Sequence, residues 1–82
     1  MRGGIALKTN LREARKAKGL TQQQLASRTY VTSRSIIALE KGEYNPSLLL
    51  AYRLSLALET PMEELFRLTE NLREENRQYE DL

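Results

Sequence analysis

Apolar residues recur three and four positions apart along most of the chain, and each such run is bounded by residues able to start or stop a helix. Leu11 and Ala14 define the first run, which predicts a helix from about Leu11 to Lys18 with Arg12, Lys16 and Lys18 turned outward. Asn10 and Glu13 are spaced for a capping box ahead of it, and Gly19 ends it. Thr21 stands where the next N-cap belongs, with Gln24 three residues on to reach back to the cap amide, so a second helix is expected from about Gln22 to Thr29. Thr32 and Ser35 repeat the signal before a third helix at about Ser33 to Lys41, which Gly42 stops. Leu25, Ala26, Val31, Ile36 and Leu39 form the seam along which these two helices pack. Pro46 and Ser47 close a loop and open a fourth helix reaching about Leu58. Thr60, Pro61 and Glu63 then offer a cap, a first-turn proline and a capping-box partner for a short fifth helix.

The flanks are less patterned. Gly3 and Gly4 keep the N-terminus from an early helix, and Ile5-Ala6-Leu7 can form a brief strand or a docking arm. Beyond Phe66, residues Leu68, Leu72, Tyr79 and Leu82 are too scattered for a strong stripe, so that segment reads as partly ordered. The expected organisation is an arm at 1–8, one all-α domain at 9–67 and an acidic tail at 68–82.

The segment GLTQQQLASRTYVTSRSIIALEKGEYNPS, residues 19–47, thus encodes two short helices joined by a tight turn, the second polar and bearing Arg34. That is the layout of a major-groove DNA reader. Composition narrows the alternatives. Eighty-two residues suffice for a single small core, which leaves function to the surface. The chain has no Cys and no His, so it lacks a disulfide frame, a thiol nucleophile and an imidazole base, and any metal site would have to be built of carboxylates. No enzymatic role, metal or cofactor is expected. Leu48 to Leu58 is too short to span a bilayer and is interrupted by Arg53, and the N-terminus has no hydrophobic signal core, so the cytoplasm is the expected compartment. The net charge of +2 conceals an asymmetry: ten Lys and Arg stand against three Glu in residues 1–53, whereas five acidic residues stand against two Arg in residues 70–82.

The run from Gly19-Leu20-Thr21-Gln22 through Leu25-Ala26 and Val31-Thr32 to Ile36, Leu39-Glu40 and Gly42 resembles the Cro/C1-type (XRE) helix-turn-helix regulators. The resemblance continues through Tyr44-Asn45-Pro46-Ser47 and Thr60-Pro61-Met62-Glu63-Glu64-Leu65-Phe66, and covers roughly residues 6–66. It implies a five-helix lambda-repressor-like domain that binds double-stranded operator DNA. Matched position by position, Ser33, Arg34 and Ala38 fall where side chains look into the major groove, with Ser35 and Ile37 near its walls. Arg34 is the strongest base reader of these, because a guanidinium can donate two parallel hydrogen bonds to guanine. Gln22 matches a phosphate-binding position, and Lys41, Tyr44 and Asn45 lie where the exit of the recognition helix can meet the backbone, although Tyr44 could equally be packed and Asn45 could shape the turn. Arg15 and Glu40 match an internal ion pair with an architectural role. Two residues depart from the pattern: Thr29 stands where Leu is common and Tyr30 where Gly is usual, so the turn must be either strained or rebuilt.

On a helical wheel the fourth helix places Leu50, Ala51, Leu54, Ala57 and Leu58 toward the domain and Leu48, Leu49, Tyr52 and Leu56 on the other side. Both sides are apolar, so the second needs a cover. A two-fold partner chain is favoured, and the chain's own tail folded over the stripe is the alternative. The overall expectation is a homodimeric, sequence-specific regulator, a repressor on a palindromic operator. It needs neither a membrane nor a small-molecule ligand. The competing readings are an antitoxin or restriction-modification controller that grips a protein partner with its tail, and a protein-interaction module that no longer reads DNA.

Overall fold

The computed structural model describes residues 7–80, with side chains as far as Arg77. Among the described residues six helices follow one another: α1 Leu11–Ala17, α2 Gln22–Arg28, α3 Ser33–Glu40, α4 Leu48–Leu58, α5 Met62–Leu65 and α6 Leu68–Glu80. The expected strand or docking arm at Ile5-Ala6-Leu7 lies, apart from Leu7, outside the described residues. No described helix is long and apolar enough to cross a membrane.

Local signals set most of the boundaries. Thr21 and Gln24 form a complete capping box, the Gln24 amide donating to Thr21 Oγ1 at 3.0 Å and the Thr21 amide to Gln24 Oε1 at 2.8 Å. Thr32 and Ser47 cap α3 and α4 in the same sense, accepting from the amides of Ser35 and Leu50 at 3.2 and 3.1 Å. Gly42 follows α3 with φ +72°, and there glycine is required twice over, because a Cβ would lie 2.1 Å from the Leu7 carbonyl oxygen. Leu7 in turn donates its N–H to the Gly42 carbonyl at 2.9 Å, which fixes the base of the arm at the exit of α3.

Three expectations are corrected. Asn10 makes no side-chain cap on α1; its Nδ2 donates to the Glu64 carbonyl at 3.0 Å, and Thr9 Oγ1 accepts the Leu11 amide instead. Thr60 does not cap α5 either, because its hydroxyl donates back to the Leu58 carbonyl and Pro61 is the N-cap. Finally, the segment read as a partly ordered tail is the sixth and longest helix. Its composition lacks a core-facing stripe, but Asn71 anchors it: Nδ2 donates to the carbonyls of Lys8, Phe66 and Arg67 at 2.9, 2.8 and 3.1 Å, while Oδ1 accepts from the Lys8 amide at 3.0 Å.

The core is a single cluster in which Leu11, Leu25, Ile36, Leu54 and Leu65 are fully buried. Helices α2 and α3 pack closely on each other, α1 lies on α3, and α4 on α2 and α5. Two buried polar groups are satisfied locally. Thr29 Oγ1 donates to the Leu25 carbonyl at 2.9 Å and Ser55 Oγ to that of Thr60 at 2.6 Å, so neither leaves the orphaned group that would make burial costly. Thr29 therefore substitutes for an apolar residue at the end of α2.

Candidate nucleic-acid interface

The α2–turn–α3 unit keeps its tight turn despite Tyr30. That residue sits at φ +62°, a conformation costing a side-chain-bearing residue roughly 1–2 kcal/mol. Its ring points into solvent, 80 % exposed, and the Arg53 guanidinium of α4 stacks over it 5.1 Å from the ring centre. A cation over an exposed aromatic face contributes about 0.5–1 kcal/mol, which offsets part of the strain. Strain, and not a rebuilt turn, is what this departure produces.

Burial of Ile36 and Leu39 fixes the rotation of α3 about its axis. Ser33, Arg34, Ile37 and Lys41 consequently face outward, with Ser35 and Ala38 half-buried beside them. Three- and four-residue spacing places Arg34, Ile37, Ala38 and Lys41 on one ridge, and no ion pair involves Arg34 among the described residues.

Beside that ridge lies a cleft of about 490 Å³ lined by Arg12, Arg15, Thr21, Gln22, Ile37, Glu40 and Lys41. One carboxylate organises it. Arg15 Nε donates to Glu40 Oε2 at 2.5 Å and Arg15 Nη2 to Oε1 at 3.3 Å, with side chains only 9 % and 5 % exposed. Arg15 Nη1 continues to the Leu20 carbonyl at 2.8 Å, and Gln22 Nε2 donates to Glu40 Oε1 at 3.1 Å. Glu40 is thereby neutralised and saturated, and the exposed cations at the cleft rim are Arg12 and Lys41. Gln22 retains its second amide hydrogen and sits at the amino end of α2, where free backbone N–H groups favour an anion.

The remaining residues separate. Tyr44 is 40 % exposed and Asn45 is exposed after α3, but Asn45 lines a different, apolar groove with Pro46 and Leu48. Leu48, Leu49, Tyr52 and Leu56 are 52–74 % exposed on α4, so α6 does not cover them. Of the basic residues expected to face outward from α1, Lys18 is paired with Glu59 at 3.0 Å, whereas Arg12 joins Gln22 and Lys41 at the cleft. Arg12 is the cleft residue that the sequence did not single out. Its signal was the three-residue step to Arg15, which sets both on neighbouring parts of α1.

An outward ridge of Arg34, Ile37, Ala38 and Lys41 on the second of two tightly joined helices, beside a cationic cleft and on an all-helical scaffold, defines a helix-turn-helix protein. The helix-turn-helix family profile matches residues 11–65, and the chain belongs to that family. It is 52 % identical over 66 residues to an uncharacterised helix-turn-helix-type transcriptional regulator of Methanothermobacter thermautotrophicus, covering 79 % of this chain and 96 % of that protein. It is 39 % identical over 64 residues to the uncharacterised regulator YgzD of Bacillus subtilis, covering 78 % and 97 %. Among solved structures it is similar to the restriction-modification controller protein C.AhdI from Aeromonas hydrophila, with a TM-score of 0.64, 38 % identity, and coverage of 70 % of this chain and 86 % of that one.

Proposed function

We propose that the protein is a sequence-specific DNA-binding transcriptional regulator, a repressor that occupies a palindromic operator as a homodimer. The observation that carries this reading is the outward ridge of α3, with Arg34 unpaired among the described residues and flanked by short side chains, set directly against the Arg12–Gln22–Lys41 cleft. In this reading Ser33, Arg34 and Ala38 face base edges, Ser35 and Ile37 lie along the groove walls, and Arg12, Gln22, Lys41, Tyr44 and Asn45 hold phosphates. The Arg15–Glu40 pair keeps α1 and α3 in register beneath them. The apolar α4 stripe of Leu48, Leu49, Tyr52 and Leu56 joins two protomers, which places two α3 helices about 34–36 Å apart, one turn of B-DNA. Its action is binding without catalysis, in the cytoplasm.

Similarity to a restriction-modification controller favours a second, narrower reading in which the operator belongs to a gene module linked to this one. Selection of bound sequences from a random duplex pool at one fixed salt concentration, repeated with Arg34→Ala, tests the main reading. The expected result is an enriched palindrome whose guanine preference disappears in the variant, a loss of about 1–3 kcal/mol of discrimination at that base pair. An unenriched pool would remove DNA reading as the function, and an unchanged preference in the variant would remove Arg34 as the reader.

A further inference from the structure

Helix α6 is the element to which the proposed function gives no task. It lies wholly beyond residues 11–65, the part of the chain that the family profile matches. It packs on α5 and then projects: between Leu68 and Arg77 only Asn71 and Glu74 are half-buried, and the molecule is 42 Å long but 22 and 20 Å across. A free helix of 13 residues is marginal in water, and the ion pairs Arg67–Glu70 and Glu74–Arg77 add little to it. On one face of α6, a turn apart, Leu68 and Leu72 remain 45 % and 57 % exposed.

Leu68 is also a wall of an apolar groove of about 430 Å³, shared with Leu7, Pro46, Leu48, Met62 and Phe66. Leu48 both lines this groove and heads the exposed α4 stripe. Stripe, groove and α6 edge are therefore one continuous apolar surface. The area decides what the stripe alone could do. A large side chain withdraws on the order of 100 Å² of apolar surface when fully buried. The four α4 residues, already partly covered, then offer roughly 250 Å² per protomer, against roughly 450 Å² of apolar area per partner in a standard stable interface. The α4 stripe is about half of what a stable dimer needs, and the groove with Leu68 and Leu72 is the adjoining apolar surface available to make up the rest.

We infer that a second copy of this chain completes the surface, the apolar edge of each α6 lying in the groove of its partner. The inference rests on the dimer proposed above and adds α6 to it. A two-fold axis requires a self-complementary patch, and a chain that carries both a projecting helix and a groove beside it supplies both halves. Every residue lining the groove is uncharged, so the apolar fit carries this pairing.

Sedimentation equilibrium of the full chain, of Leu68→Glu/Leu72→Glu and of Tyr52→Glu tests this, with circular dichroism to verify that each variant folds. Both α6 leucines are about half exposed, so their replacement leaves the protomer folded. The expected result is a wild-type dimer whose dissociation constant rises at least ten-fold in the α6 double variant and also in Tyr52→Glu. A dimer weakened by Tyr52→Glu but untouched by the α6 variant would overturn the role of α6 and leave the α4 dimer standing. A wild-type chain that stays monomeric up to high micromolar concentration would overturn both.

Discussion

At the scale of single residues, Glu40 holds three helices with one carboxylate. It receives two N–H groups from Arg15 of α1 and one from Gln22 of α2, and it sits at the last turn of α3. Removing it would strand a buried guanidinium, a change that typically costs about 3–5 kcal/mol. Glu40→Ala should accordingly lower the unfolding free energy by that amount in urea denaturation, and it will look like a DNA-binding defect while acting through the fold. A variant unfolding at the wild-type urea concentration would show the pair to be idle. Tyr30 and Arg53 make a gentler pair. A double-mutant cycle with Tyr30→Gly and Arg53→Ala should give a coupling of about 0.5–1 kcal/mol, and additive effects would show that the stacked cation contributes nothing. The sequence exposed the anomaly at Tyr30, because a large side chain stood where a left-handed turn wants glycine. It could not name Arg53, which reaches the ring from a distant helix.

At the scale of elements, legibility followed locality. The caps at Thr21, Thr32 and Ser47 were readable because donor and acceptor lie within one turn of each other. The one expected at Asn10 was not, because the carbonyl of Glu64, 54 positions along the chain, takes its side chain, and the one at Thr60 gives way to a local competitor, the Leu58 carbonyl two residues before it. Helix α6 escaped notice for a related reason: what holds it is a polar anchor at Asn71, which no hydrophobic period records. Its first turn is also tied by charge. The Glu70 carboxyl is held below its ordinary range chiefly by the hydrogen bond from Arg67, with desolvation opposing and the Arg67, Lys8 and Arg73 charges assisting. Because the folded value is lowered, this support is complete above the range where a free glutamate titrates and is lost as pH falls through the lowered value. Far-ultraviolet circular dichroism should therefore show helicity decreasing in acid, and Glu70→Gln should remove part of that decrease. An identical acid profile in the variant would mean the pair does not support α6.

At the scale of the whole molecule, the asymmetric charge, the absence of Cys and His and the two-helix pattern were enough to point from sequence to a DNA reader. The grouping of Arg12 with Gln22 and Lys41 was not readable, because it depends on how α1 crosses the other two helices. Neither was the closure of the chain upon itself. Asn71 offers both halves of its amide to the backbone of Lys8, a residue 63 positions earlier. The chain ends are already brought together by Thr9 and Asn10, which bond the Leu65 and Glu64 carbonyls, and the Asn71 joint beyond them is exposed, so it is the part expected to open first. Lys8 and α6 are then expected to open as one unit, at a lower free energy than the core that presents α3. In hydrogen exchange the Lys8 amide and the α6 amides should share one rate, and Asn71→Ala should accelerate them together while α2 and α3 keep their protection. Lys8 is thus fastened to α6 by one side-chain amide, and that fastening can be released without disassembling the part that reads DNA.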